Sequence, residues 1–264
     1  MADTSAADLL TGAVGVLLAD IRAGRAPALA DEPDAVHRLR TSVRRLRNVL
    51  AGFGRYVERR PAGALRDRLA SYGALLGAGR DLEVRAEDCR RVLAEVGRLD
   101  LEPVLVAPLV AAHGGAHAAL VDWHTTPDAV ALDRLLGEWA RTVPLTARAH
   151  RAADPAVAKV LRREVGRVLD RAADGEASHE VRKSARRLRH VAEAVGTDDA
   201  ARLGRLGKDI QGRLGDHRDA LLLAEHLWSV GAPAVVVARV EASASHALDG
   251  LPEVLATLRG GHEI

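Results

Sequence analysis

Apolar residues along this chain recur three and four apart, and the strict alternation of a half-buried strand is nearly absent. Between 36 and 53, turning each residue by about 100° places Val36, Leu39, Val43, Leu46, Leu50 and Phe53 in one stripe. The run Val235-Val236-Val237 is the one exception, and it lies in an alanine-rich stretch. Capping residues, glycines and prolines predict helices near 4–23, 34–58, 62–77, 81–98, 103–121 and 128–142. A second series is predicted near 155–171, 176–195, 199–214, 219–229, 233–248 and 252–259. The predicted fold class is all-α.

The two series resemble each other. Setting His37 on His179, an offset of 142, aligns HRLRTSVRRLR (37–47) with HEVRKSARRLR (179–189), and seven of eleven positions are identical. A second match follows at an offset of 138, Leu76-Gly77-Ala78-Gly79-Arg80-Asp81 against Leu214-Gly215-Asp216-His217-Arg218-Asp219. Ordered matches at nearly constant offset indicate an internal repeat. The segment HRAADPAV (150–157) is a plausible linker, so the expected organisation is two helical bundles, 1–150 and 151–264. An approximate two-fold axis would relate them, and they would pack closely enough to act as one unit.

Polar positions on the repeated helix are as ordered as the apolar ones. His37, Arg40, Arg44 and Arg47 form a stripe directly beside the core stripe. His179, Arg182, Arg186 and Arg189 do the same beside Val181, Ala185 and Leu188, while Arg45 and Arg187 point farther round toward solvent. Residues 36–60 carry eight arginines against Glu58, and 179–190 carry four arginines and Lys183 against Glu180. Since the chain totals only +2, everything outside these helices is net acidic. A stripe roughly 15 Å long suits an extended polyanion better than a single phosphate. One Arg-rich helix alone would be read as snorkelling arginines paired with acids elsewhere. Two copies on the same face weigh against that. The histidines either face phosphates, which would raise their pKa, or serve as hydrogen-bonding groups at the bundle rim.

Composition narrows the function classes. A 48% hydrophobic and 28% charged chain is globular rather than disordered. Cys89 is the single cysteine, which excludes an intramolecular disulfide and a cysteine zinc cluster. No apolar run reaches the roughly 18 residues of a membrane span. The start, MADTSAADLL, lacks a basic n-region, so a cytoplasmic protein is expected. Only Phe53, Tyr56, Tyr72, Trp123, Trp139 and Trp228 are aromatic, too few for a base-stacking platform. Lysine occurs only at Lys159, Lys183 and Lys208, leaving 35 arginines. A GC-rich coding bias accounts for most of that excess, but arginine's planar fork also suits phosphate.

At His37-x-x-Arg40-x-x-x-Arg44-Arg45-Leu46-Arg47, its copy at 179–189 and the two Leu-Gly-x-x-Arg-Asp elements, the sequence resembles the CHAD family, the conserved histidine α-helical domain. The similarity runs from about residue 5 to 259. It implies a pseudo-symmetric pair of helical bundles around a basic cavity that binds inorganic polyphosphate. Carried onto this chain, it implicates His37, Arg40, Arg44, Arg47, His179, Arg182, Arg186 and Arg189, with Arg80, Lys208 and Arg218 as secondary contacts. Asp81 and Asp219 would cap the following helix or orient an arginine. Some family members carry an N-terminal triphosphate-hydrolysing domain. This chain opens on a helical segment and has no Glu-x-Glu-x-Lys.

Catalytic motifs are missing elsewhere too. His113 and His117 stand four apart but no glutamate follows His113, so an incidental surface pair is expected rather than a metal site. Asp216-His217-x-Asp219 falls at a predicted helix junction, where Asp commonly caps. There is no phosphate-binding P-loop motif. The expectation is a non-enzymatic polyphosphate-binding protein without cofactor or metal, and proteins of polyphosphate granules are compatible partners. A nucleic-acid binder using the same surface is the alternative.

Overall fold

A computed structural model, which describes residues 4–173 and 178–261, turns the periodic segments into helices and leaves no strand among the described residues. The first half holds α1 (Ala6–Ala23), α2 (Arg25–Leu29), α3 (Ala35–Gly52), α4 (Arg59–Glu95), α5 (Glu102–Leu105), α6 (Ala107–Trp123) and α7 (Pro127–Arg141). The second holds α8 (Ala153–Ala173), α9 (Ser178–Val195), α10 (Asp198–Ser229), α11 (Ala234–His246) and α12 (Leu251–Gly260). Residues 176 and 177, where the sequence places the start of α9, lie outside the described residues.

Helix starts follow local chemistry. Ser5 and Asp8 form a reciprocal capping box on α1. Thr126 caps α7 ahead of Pro127, and Thr197 caps α10 ahead of Asp198 and Asp199. Two isolated bridges, Ser5 with Ala152 and Val57 with Leu145, tie the segments before α1 and α4 to those that follow α7.

The predicted breaks at the two Leu-Gly-x-x-Arg-Asp elements do not exist. α4 runs unbroken for 37 residues and α10 for 32, each spanning two predicted helices. In the first element Gly77 makes room for a neighbour instead. A Cβ on Gly77 would lie 3.2 Å from Arg40 Nη2, and the Gly79 carbonyl accepts from His113 Nδ1 at 3.1 Å. Asp81 and Asp219 therefore cap nothing. α3, in turn, ends at Gly52, where it crosses α9, rather than near 58: a Cβ on Gly52 would collide with Val191 Cγ2.

The apolar stripe predicted on α3 is buried in full, as are Val181, Ala185 and Leu188 on α9. The main core gathers α1, α3, the first part of α4, α8, α9 and the first part of α10. A smaller core forms between the far ends of α4 and α10, with α5, α6 and α11. Each core draws on residues from both sides of position 150. α3 packs directly on α9, and there Asn48 Nδ2 donates to His190 Nδ1 at 2.9 Å. These two residues stand 142 apart, at equivalent positions of the repeat, one residue past each motif copy.

Two expectations about polar residues are corrected. Arg187 is not solvated: its Nε donates to the fully buried Glu164 at 2.5 Å, in a cluster that Arg163 and Arg167 complete. His113 and His117 are not a surface pair. His117 Nε2 meets the Ala28 carbonyl at 3.1 Å, so the two histidines fasten α6 to α4 and α2.

Candidate functional site

The α3–α9 pair and the middles of α4 and α10 enclose a cavity of about 360 Å³. Helical spacing explains which side chains reach it. His37, Arg40 and Arg44 come from α3, Arg182 and Arg186 from α9, Arg80 from α4 and Arg218 from α10. α10 contributes Gly212 and Gly215, where an added Cβ would meet nothing within 4 Å and would project into open space. Seven of the predicted residues thus converge from four helices.

The other four do not line this cavity. His179 sits beside it, with Nδ1 3.3 Å from Arg218 Nη1. Arg47 lines a second cavity of about 320 Å³, which shares Arg44 and Arg186 with the first. Arg189 is engaged by Glu193 at 2.7 Å on its own helix. Lys208 lies in a separate depression with Arg205, Asp209 and Arg213. Sequence reasoning also missed Arg85, Asp88, Asp216 and the cavity position of Asp219. The signal was present: 77, 81, 85 and 88 share one helical face once α4 is read as continuous.

Charge is unevenly satisfied around the cavity. Arg40 lies over Gly77 and binds Asp81 at 2.8 Å, so Asp81 orients an arginine. Arg80 is paired with Glu83 at 2.9 Å. Arg44, Arg182 and Arg186, by contrast, form no ion pair among the described residues, and the Nε of each is buried without a hydrogen-bond partner. Arg47 has the same unsatisfied Nε. Burial, followed by the neighbouring Arg40 and Arg182, pushes the Arg44 pKa down to about 10. Burial and then Arg44 push Arg186 down to about 9. Desolvation together with Arg80 and Arg44 lowers His37, and desolvation with Lys183 and Arg218 lowers His179. Cations held close together at this cost favour an anion between them.

Comparison with known proteins places this geometry. The family model for the CHAD domain matches residues 12–228. The chain belongs to the CHAD family. Among solved structures, it superposes on PptA from Streptomyces chartreusis with a TM-score of 0.75 at 19% identity, covering 99% of this chain and 100% of that one. The CHAD domain from the plant Ricinus communis gives 0.70 at 22% identity, over 99% of this chain and 93% of that one. Both share its all-α fold. Two uncharacterized proteins of Mycobacterium tuberculosis are 28% identical over 221 residues, 75% of this chain but 40% of their own length. The CHAD chain described here therefore spans about two fifths of those relatives. Among its described residues no single helix is long and apolar enough to cross a membrane.

Proposed function

We propose that this CHAD domain binds inorganic polyphosphate, without cleaving it, in the cavity between α3, α9, α4 and α10. One observation carries the reading: the Nε groups of Arg44, Arg182 and Arg186, which line that cavity, are buried without partners, and all three belong to the two repeated motifs. A guanidinium that meets a phosphate oxygen makes a charge-assisted, often bidentate hydrogen bond, and successive phosphates offer such acceptors along a chain. Counterion release from the polymer adds to the free energy. We also read 1–150 and 151–264 as halves related by a pseudo-two-fold axis near Asn48 and His190, because a residue meeting its own equivalent is the mark of such an axis.

Single-strand binders combine phosphate contacts with aromatic stacking of the bases. Apart from His37 no ring lines the cavity, and Phe53, Tyr72 and Trp139 are in the core. The test is a competition at fixed ionic strength. Affinity is expected to rise with polyphosphate length, to stay weak for orthophosphate, and to exceed that for single-stranded DNA of matched charge. Equal affinity for DNA would replace polyphosphate with nucleic acid. Phosphate release with Mg²⁺ that vanishes in the double variant Arg44→Ala, Arg186→Ala would make the site catalytic.

A further inference from the structure

The second cavity lies on one flank of the α3–α9 crossing, and Arg44 and Arg186 form its boundary with the first. Beyond that pair it is lined by Arg47, Arg66, Lys183 and Arg187. Arg47 and Arg66 form no ion pair among the described residues, and the Arg47 Nε is buried without a partner. Glu180 also lines it, but Lys183 at 2.8 Å and Arg171 at 2.9 Å already hold its two oxygens. Arg187 is anchored on Glu164 through Nε, which leaves the rest of its guanidinium to the cavity. Acids are more numerous in the first cavity, where Asp81, Asp88, Asp216 and Asp219 stand among the arginines, whereas Glu180 is the one carboxylate lining the second among the described residues. A polyanion longer than the first cavity therefore finds its next uncompensated cations across Arg44 and Arg186.

The repeat supplies a control within the molecule. The 142-residue offset carries Arg47 to Arg189 and Ala51 to Glu193. Ala51 lines the second cavity and leaves Arg47 uncovered. On the related flank Glu193 pairs with Arg189 at 2.7 Å and with Arg45 at 3.0 Å, which engages both and cancels one of their two charges. The pair Ala51 and Glu193, four residues past each motif, thus separates an open flank from a closed one.

We propose that the second cavity is a further subsite for the same polyanion, so that a long polyphosphate passes over Arg44 and Arg186 toward Arg47 and Arg66, and that Glu193 closes the equivalent route. This rests on the polyphosphate reading of the first cavity. Tripolyphosphate and long-chain polyphosphate would be titrated into the wild-type chain and into Ala51→Glu, Arg66→Ala and Arg182→Ala. Ala51→Glu rebuilds on α3 the Arg–Glu pair of α9, and Arg66 is exposed, so Arg66→Ala keeps the test open should the other variant fold poorly. Ala51→Glu and Arg66→Ala are expected to weaken long-chain binding by about tenfold, the worth of one strong charge-assisted contact, and to leave tripolyphosphate within about twofold. Arg182→Ala, in the first cavity, should weaken both ligands. Long-chain affinity unchanged in Ala51→Glu and Arg66→Ala, or equal losses for both ligands, would overturn the second subsite while the first stands. A wild-type chain that binds neither ligand would overturn both.

Discussion

His190 shows how a single side chain reports the α3–α9 contact. Burial, then Arg44 and Arg189, push its pKa down to about 2, and Asn48 donates to the nitrogen that would take the proton. Folded, it stays neutral; unfolded, it protonates near 6.5. The unfolded state then holds the extra proton across that window, so stability is lost as pH falls from about 6.5 toward 2, by up to about 1.4 kcal/mol per pH unit. His190→Gln keeps a partner for Asn48 and removes the titration. Urea denaturation at several pH values should show a shallower decline for it, and an identical slope would mean His190 does not set acid sensitivity. The cavity histidines act through binding instead. His37 and His179 lie below their ordinary pKa beside arginines, and bound phosphates would raise them. The complex then takes up protons, so affinity should rise as pH falls from about 8 to 6. Burial also raises Asp216 and Asp219, whose protonation would act in the same direction. A pH profile unchanged in the double variant His37→Ala, His179→Ala would assign the two histidines to structure. At this scale the sequence shows which face a residue occupies, because spacing sets it. The pairing of Arg189 with Glu193 was also readable as an i, i+4 pair, whereas Asn48 with His190 required the packing of α3 on α9.

Among the elements, α4 and α10 differ most from their sequence reading, for a reason that lies in glycine. A glycine beside a charged residue resembles a helix end, yet in an interior it also makes room for a neighbour. Gly77 makes room for the Arg40 guanidinium, and Gly207 for the α9 backbone, with Ala185 O 2.9 Å from the position of its missing Cβ. Nothing local in the sequence separates a terminating glycine from one that admits a partner. Opposite outcomes follow for the two alanine substitutions. The end of Arg40 is flexible and can shift, so Gly77→Ala should raise thermal stability by up to about 1 kcal/mol through helix propensity. It should also weaken polyphosphate binding, because Arg40 loses its seat over α4. At Gly207 the obstacle is backbone, and Gly207→Ala should lower the melting temperature. Calorimetric melts of both, with titrations of the first, test this. A stabilised Gly207→Ala would mean that α9 and α10 can part at no cost.

For the molecule as a whole, the repeat and its two basic stripes were visible in sequence, but their meeting was not. Two identical stripes can diverge or converge, and only the burial of both helices in one core turns Arg40 and Arg44 toward Arg182 and Arg186. That convergence sets a demanding test. If one polyanion touches both halves, the second half binds at high effective concentration once the first is engaged. Replacing Arg40, Arg44 and Arg47 by alanine, or Arg182, Arg186 and Arg189, should then each weaken long polyphosphate by more than about tenfold and flatten its salt dependence. Glu193 already occupies Arg189, so Arg182→Ala with Arg186→Ala should reproduce most of the second triple change. Folding should survive, since these side chains flank the apolar stripe. The melting temperature should hold or rise as crowded like charges are removed, because burial and neighbouring arginines lower the pKa of both Arg44 and Arg186. Circular dichroism checks that before any titration. If one triple variant binds normally while the other is inactive, the two halves do not share a site, and the cavity between them is not where the polymer lies.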